Sequence, residues 1–180
     1  MCIIRASIAA SVLLASACAS TAAPLDALIA FDDHYHCHPS KDLDALLKGV
    51  IRWEELSELT PANDIYKGTL ASPPIPAKFR KQLGKPHLVV EGNEYRATVP
   101  LSGSWQGLAL HSLVVVQWVE SESGFQLIFD ATRDQVLDAA NKAGFRIPAS
   151  GSEYRDGEVL GVNVGVATVD GRGALFCFGG

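Results

Sequence analysis

Positive charge is in short supply in this chain. Fifteen Lys and Arg stand against twenty Asp and Glu in 180 residues, for a formal net charge of −5. That balance leaves no basic face of the kind that neutralises nucleic-acid phosphates. Apolar runs are also short beyond the N-terminus. The most apolar later stretch, Leu110 to Val119, is interrupted by His111, Ser112 and Gln117, and it is far below the ~20 residues a spanning helix needs. Cysteine is sparse, and no Cys-x-x-Cys pair occurs, which excludes a thioredoxin-like redox motif. Catalytic signatures are missing as well: there is no Gly-x-Ser-x-Gly elbow, His-Glu-x-x-His helix, Walker loop or dinucleotide fingerprint. Asp170-Gly-Arg-Gly173 is turn chemistry and not a phosphate cradle, because no helix follows it. Catalytic groups can still assemble from distant positions, so these absences lower the expectation of an enzyme without removing it.

What the N-terminus does contain is an export signal. Arg5 supplies the positive region, and Ala6 to Ala17 supplies an apolar core of suitable length. Cleavage after Ala22 would make residues 1–22 the signal peptide and residues 23–180 a single α+β domain. Alternatively, Leu14-Ala-Ser-Ala-Cys18 resembles a lipobox, with residues 1–17 removed and Cys18 lipidated. Loss of the leader takes Arg5 and no acid with it, moving the formal charge from −5 to −6. The protein is therefore expected to be exported, either periplasmic or secreted, or held at the membrane only by a lipid on Cys18. Cys37 and Cys177 are then the two cysteines left in an oxidising compartment. A bridge between them, closing most of the domain into one loop, is expected; the alternatives are two buried free thiols and a metal site using Cys37 beside the histidines.

Phe31 to Pro39 concentrates the chemistry. It reads Phe-Asp-Asp-His-Tyr-His-Cys-His-Pro and holds three of the five histidines. As an extended segment, with side chains alternating between faces, it places Phe31, Asp33, Tyr35 and Cys37 on one side. Asp32, His34, His36 and His38 then fall on the other. Neutral imidazoles at that spacing suit zinc or copper, so His34, His36 and His38 form a candidate metal site, with Asp32 as a further ligand or an orienting group. The competing readings are an exposed histidine row with no ligand, and a helix entering from Pro24 through Leu25, Leu28 and Ile29.

Downstream, Ser40 is placed to cap a helix whose stripe is Leu43, Leu46, Leu47 and Val50. Trp53 to Leu59 reads as a second short helix. Pro61 to Pro86 carries five prolines and is expected to run over the surface, with a short strand near Ile65 to Leu70. Lys78, Arg80, Lys81 and Lys85 give this excursion the one basic patch of the chain. The patch suits contact with an acidic partner, against the simpler reading of solvated loop charge. Two hairpins are expected next: Leu88–Glu91 with Tyr95–Leu101, and Leu108–Val119 with Phe125–Phe129. Between them Ser102 to Gly107 reads as a flexible loop. Its Trp105, with Gln106, is a candidate anchor for a partner, Trp being enriched at binding hot spots. A Trp folded back on the sheet is the alternative.

Thr132 and Gln135 make a capping box for a helix along Val136, Leu137, Ala140 and Ala143, closed by Gly144. A polar loop at Ser150 to Gly157 leads to a last hairpin, Val159–Val169 with Ala174–Phe178. The fold expected is α+β: an antiparallel sheet with two to three helices on one face, stapled by one disulfide. Together, the export signal, acidic balance, single bridge and missing catalytic motifs are similar in kind to bacterial periplasmic inhibitor and immunity proteins. No residue carries over from that likeness. It implies a non-catalytic protein that acts on another protein of the cell envelope, with no cofactor. The alternative is a metal-binding protein or metalloenzyme using His34, His36 and His38, with zinc as the cofactor.

Overall fold

The computed structural model describes residues 23–55, 66–119, 123–157 and 161–179. The expected signal segment, Cys18 included, lies outside the described residues. The fold is mostly sheet. Seven antiparallel strands run in the spatial order β5-β6-β7-β8-β11-β10-β9: β5 (His87–Glu91), β6 (Glu94–Trp105), β7 (Leu108–Trp118), β8 (Ser123–Phe129), β11 (Arg172–Gly179), β10 (Val162–Val169) and β9 (Ser152–Arg155). Two further strand pairs accompany this sheet: β1 (Phe31–Asp33) with β2 (His38–Pro39), and β3 (Ile51–Glu55) with β4 (Tyr66–Leu70). Two α-helices, α1 (Lys41–Gly49) and α2 (Arg133–Ala143), complete the described elements with a short 3₁₀ helix at Ala77–Gln82.

Turn chemistry explains why the strands follow one another as hairpins. Gln106-Gly107 and Asp170-Gly171 are two-residue turns with positive φ at both positions. That geometry matches the twist of the flanking strands and favours glycine in the second place. Alternation then sorts the two faces of the sheet. Leu113, Val115, Phe125, Leu127, Leu175, Cys177, Val164 and Val166 fall in aligned rows and join the main buried cluster. Leu25, Leu28 and Ile29 belong to that cluster too, as do Leu43 and Leu46 of α1 and Val136 and Ala140 of α2. The other face holds a smaller cluster of Val114, Val116, Ile128 and Ala174, flanked by Trp118, Val169 and Phe178.

Four sequence expectations change. Trp53 does not start a helix: it lies in β3, where it pairs with Gly68 and donates its indole N–H to Gln117 at 2.8 Å. Leu56 to Leu59 lie outside the described residues. Tertiary contact overrides the weak local helical pattern there. Ser102 to Gly107 is no flexible loop, since β6 runs to Trp105 and turns at once into β7. Within the expected polar loop, Ser152 to Arg155 pairs with β10 as β9. Ser40 does precede α1, but its side chain makes no capping hydrogen bond. By contrast α2 has the full capping box of Thr132 and Gln135 and a left-handed Gly144 at its end. Close packing leaves no room for a side chain at Gly165 of β10, where a Cβ would stand 2.6 Å from the Phe176 ring, the Gly151 carbonyl oxygen and Ser152.

Cys37 and Cys177 are joined as a disulfide with Cα atoms 6.2 Å apart, across 140 residues of chain. Mutation of both cysteines to Ala should lower stability by about 5 kcal/mol in the chain-entropy model, measured as a shift of the urea midpoint. A loss below ~1 kcal/mol would show that packing alone holds the first segment.

Candidate functional site

The first hairpin carries the histidines, and it is not extended throughout. Phe31 to Asp33 pairs with His38 and Pro39, and residues 34–37 form the turn between them, with Cys37 at φ 54°. The alternation expected for a strand therefore breaks. His34 packs its ring against Phe31 and Phe145, with centroids 5.5 and 5.2 Å away. The Nδ1 of His36 lies 2.7 Å from Asp33 Oδ2, and His38 sits with its ring 6.1 Å from that of His36. Among the described residues, no group of three or more His, Cys, Asp or Glu is placed to hold a metal ion. Of the candidate ligands, His36 and His38 stay beside one another, while His34 is taken into the aromatic group of Phe31 and Phe145.

Asp33 caps this turn. Its Oδ1 accepts from the backbone N–H of Tyr35 at 2.8 Å and of His36 at 3.3 Å. The His36 side chain is the main influence holding the Asp33 carboxyl below its ordinary range, and the two backbone donors act in the same direction. The hairpin is locked from outside by Arg155, which no motif or spacing in the sequence singles out. Its side chain is nearly fully buried; it donates to the carbonyls of Tyr35 and Arg146, contacts Glu153, and lies 4.2 Å over the Tyr35 ring. Arginine can satisfy several acceptors at once through its planar fork, so the buried charge serves as a clamp.

Trp105 and Gln106, expected as an exposed partner anchor, are engaged within the chain. Trp105 is 1% exposed and donates its indole N–H to the Ile29 carbonyl at 2.9 Å. Gln106 donates from its backbone and side-chain nitrogens to Asp26, at 2.8 and 3.1 Å. The backbone of Ser104 exchanges hydrogen bonds with Ala23 and Leu25. A large apolar ring with one polar N–H makes a good anchor for a segment outside the main sheet; here that segment is residues 23–29, which turn over Leu25 to Ile29.

A larger space open to another molecule lies elsewhere. A cleft of about 550 Å³ is lined by Leu46 and Val50 from the α1 side and by Ala71, Ser72, Pro73, Pro74 and Ile75. Leu83, Gly84, Pro86, Val99 and Arg80 complete it. Its walls are mainly aliphatic and proline carbon, and Arg80 is the charged lining residue. Lys78, Lys81 and Lys85 are exposed in the same 3₁₀ helix and the segment after it. No protein-family model, curated protein or solved structure matches this chain. Function therefore has to be argued from geometry.

The cleft was only half visible in the sequence. The basic residues stood out, but the apolar walls come from α1, the proline segment and β6, far apart in the chain. Pro73-Pro-Ile-Pro76 was the available signal, since an isoleucine among prolines has little reason to sit in a solvated loop.

Two outcomes are expected. His36→Ala should raise the Asp33 pKa toward the ordinary carboxylate value, read from the carboxyl carbon in an NMR titration. Because the folded pKa is lowered, the stability this carboxylate contributes is present above its unfolded value of about 3.9 and lost as pH falls through the folded one. The stability gap between wild type and His36→Ala should accordingly close in that acid window, and a gap independent of pH would refute the linkage. Separately, Trp105→Phe should cost about 1–2 kcal/mol by orphaning the Ile29 carbonyl, seen in thermal or urea unfolding.

Proposed function

We propose that this protein is an exported binding protein that acts on another protein, and that the cleft beside α1 is its recognition site. The observation that carries the reading is the chemistry of that cleft: about 550 Å³ of mainly apolar wall with Arg80 in its lining. A concave apolar site of this size with one or few polar groups is the usual form of a recognition pocket. Lys78, Lys81 and Lys85 add positive charge beside it, although the chain as a whole is acidic. The occupant best matched is a short apolar segment of a partner protein flanked by Asp or Glu, in keeping with an inhibitor or immunity role. Charge of opposite sign would then steer the encounter and fix orientation, while the apolar walls supply most of the affinity.

We read α1 and α2 as covering the same face of the seven-stranded sheet, since Leu43 and Leu46 share one buried cluster with Val136 and Ala140. On that arrangement α1 forms a fixed wall of the cleft and the proline segment forms the other. Prolines hold that wall with little conformational freedom to lose on binding. The disulfide supports an oxidising, exported setting for the protein.

The test is selection of displayed random peptides on the wild-type protein and on two variants. Enriched sequences should pair apolar residues with neighbouring Asp or Glu. Arg80→Glu should remove the acidic preference, and Ser72→Trp, which places an indole in the cleft, should weaken binding about tenfold or more, a loss of ~1.4 kcal/mol. Peptides that bind both variants as well as wild type would take the site out of the cleft.

A further inference from the structure

The sheet ends at β5, and this edge differs from the edge at β9. Strand β9 is four residues long, includes Glu153 and Arg155, and is held through the Arg155 clamp. Strand β5 reads His87-Leu-Val-Val-Glu91, pairs with β6 alone in the sheet, and exposes Val89 to 43% and Val90 to 48%. Natural edge strands are normally blunted by charge, proline or a bulge, because unpaired backbone N–H and C=O groups invite another strand. Here three apolar residues in a row occupy the centre of the edge.

The charged ends of β5 add a second observation. Glu91 lies opposite Glu94 across the β5-β6 ladder, and Glu94 is itself paired with Arg96. Like charges directly opposite are unfavourable. Among the described residues, neither Glu91 nor His87 has a side-chain hydrogen bond or ion-pair partner. The five-residue sequence is also self-complementary when reversed about its centre: Val89 meets Val89, Leu88 meets Val90, and His87 meets Glu91. Antiparallel pairing with an identical strand would put an imidazole N–H beside each lone carboxylate. It would also cover both exposed valines.

From this complementarity we infer that β5 is a self-association edge, at which two copies of the chain join antiparallel about a two-fold axis through Val89. The product is a continuous fourteen-stranded sheet, twice the seven strands of one chain. Such an interface is isologous, the commonest form for a dimer. Leu88 already packs against the main core, so the Leu88–Val90 contacts extend that core across the junction. Two five-residue strands bury too little for an obligate dimer; the association expected is reversible, with Kd on the order of 10 µM to 1 mM. This inference stands on the sheet edge and is independent of the cleft.

Sedimentation velocity of the full chain, as processed by the cell that exports it, tests the inference between ~1 µM and ~1 mM. Wild type should pass from monomer to dimer, and hydrogen exchange should slow at residues 87–91 as concentration rises. Val89→Lys, which sets two ammonium groups side by side on the axis, should abolish the dimer, whereas Val89→Thr keeps it. His87→Glu should weaken it about tenfold by opposing two carboxylates. The double change His87→Glu with Glu91→Lys restores opposite charges in the same register and should recover the wild-type constant. A monomer throughout the range, a Val89→Lys dimer as strong as wild type, or a double variant no tighter than His87→Glu would each overturn the proposal. An unrelated protein's strand as sole occupant of the edge would appear as the first of these outcomes.

Discussion

The bond between Cys37 and Cys177 ties the first hairpin to an interior strand of the sheet, and much of the N-terminal architecture depends on it. Cys177 stands on β11, between β8 and β10. Cys37 is the last residue of the turn that holds His34, Tyr35 and His36. With the two joined, Phe31 meets Phe125 and Phe145, and His34 is drawn into the same aromatic group. Arg155 then fastens the turn to β9 from the other side. A segment with little regular structure of its own becomes a fixed part of the core.

Trp105 is the second fastening. Its ring fills the space among Ile29, Phe129 and Phe145, and its N–H satisfies a carbonyl that would otherwise be buried without a partner. Residues 23–29 are thereby held along the end of β6 and β7. The two fastenings act on the same part of the chain, which explains why Leu25, Leu28 and Ile29 are as buried as any strand residue. The proline segment lies outside both fastenings and lines an open, mainly apolar cleft.

The patterns that were legible are local. The capping box of α2, the Asp170-Gly171 turn and the amphipathic stripe of α1 each depend on residues within a few positions of one another. The short strand expected near Ile65 to Leu70 is present as Tyr66–Leu70. Misreadings occurred where a distant partner decides. Trp53 sits in a run of glutamates that looks helical, yet Gln117 and Tyr95 hold it in a strand. Gln106-Gly107 looked like part of a loop because the serines and glycines before it suit one, although Gly103 is small so that Leu25 can approach. The histidines looked like a row because alternation was assumed through a segment that in fact turns.

By itself, then, the sequence determined the compositional limits, the antiparallel hairpins with good turn residues, the α2 helix, and the pairing of Cys37 with Cys177 as an expectation that the structure bears out. Those features follow from short-range sterics, periodicity and the count of available thiols. Tertiary structure alone decided that Trp105 faces inward, that His34 leaves His36 and His38 for the aromatic group around Phe145, that Arg155 is a buried clamp, and that an apolar cleft opens beside α1. Each of these depends on which distant surface fills a given space, and packing in three dimensions settles that question where local preference is silent.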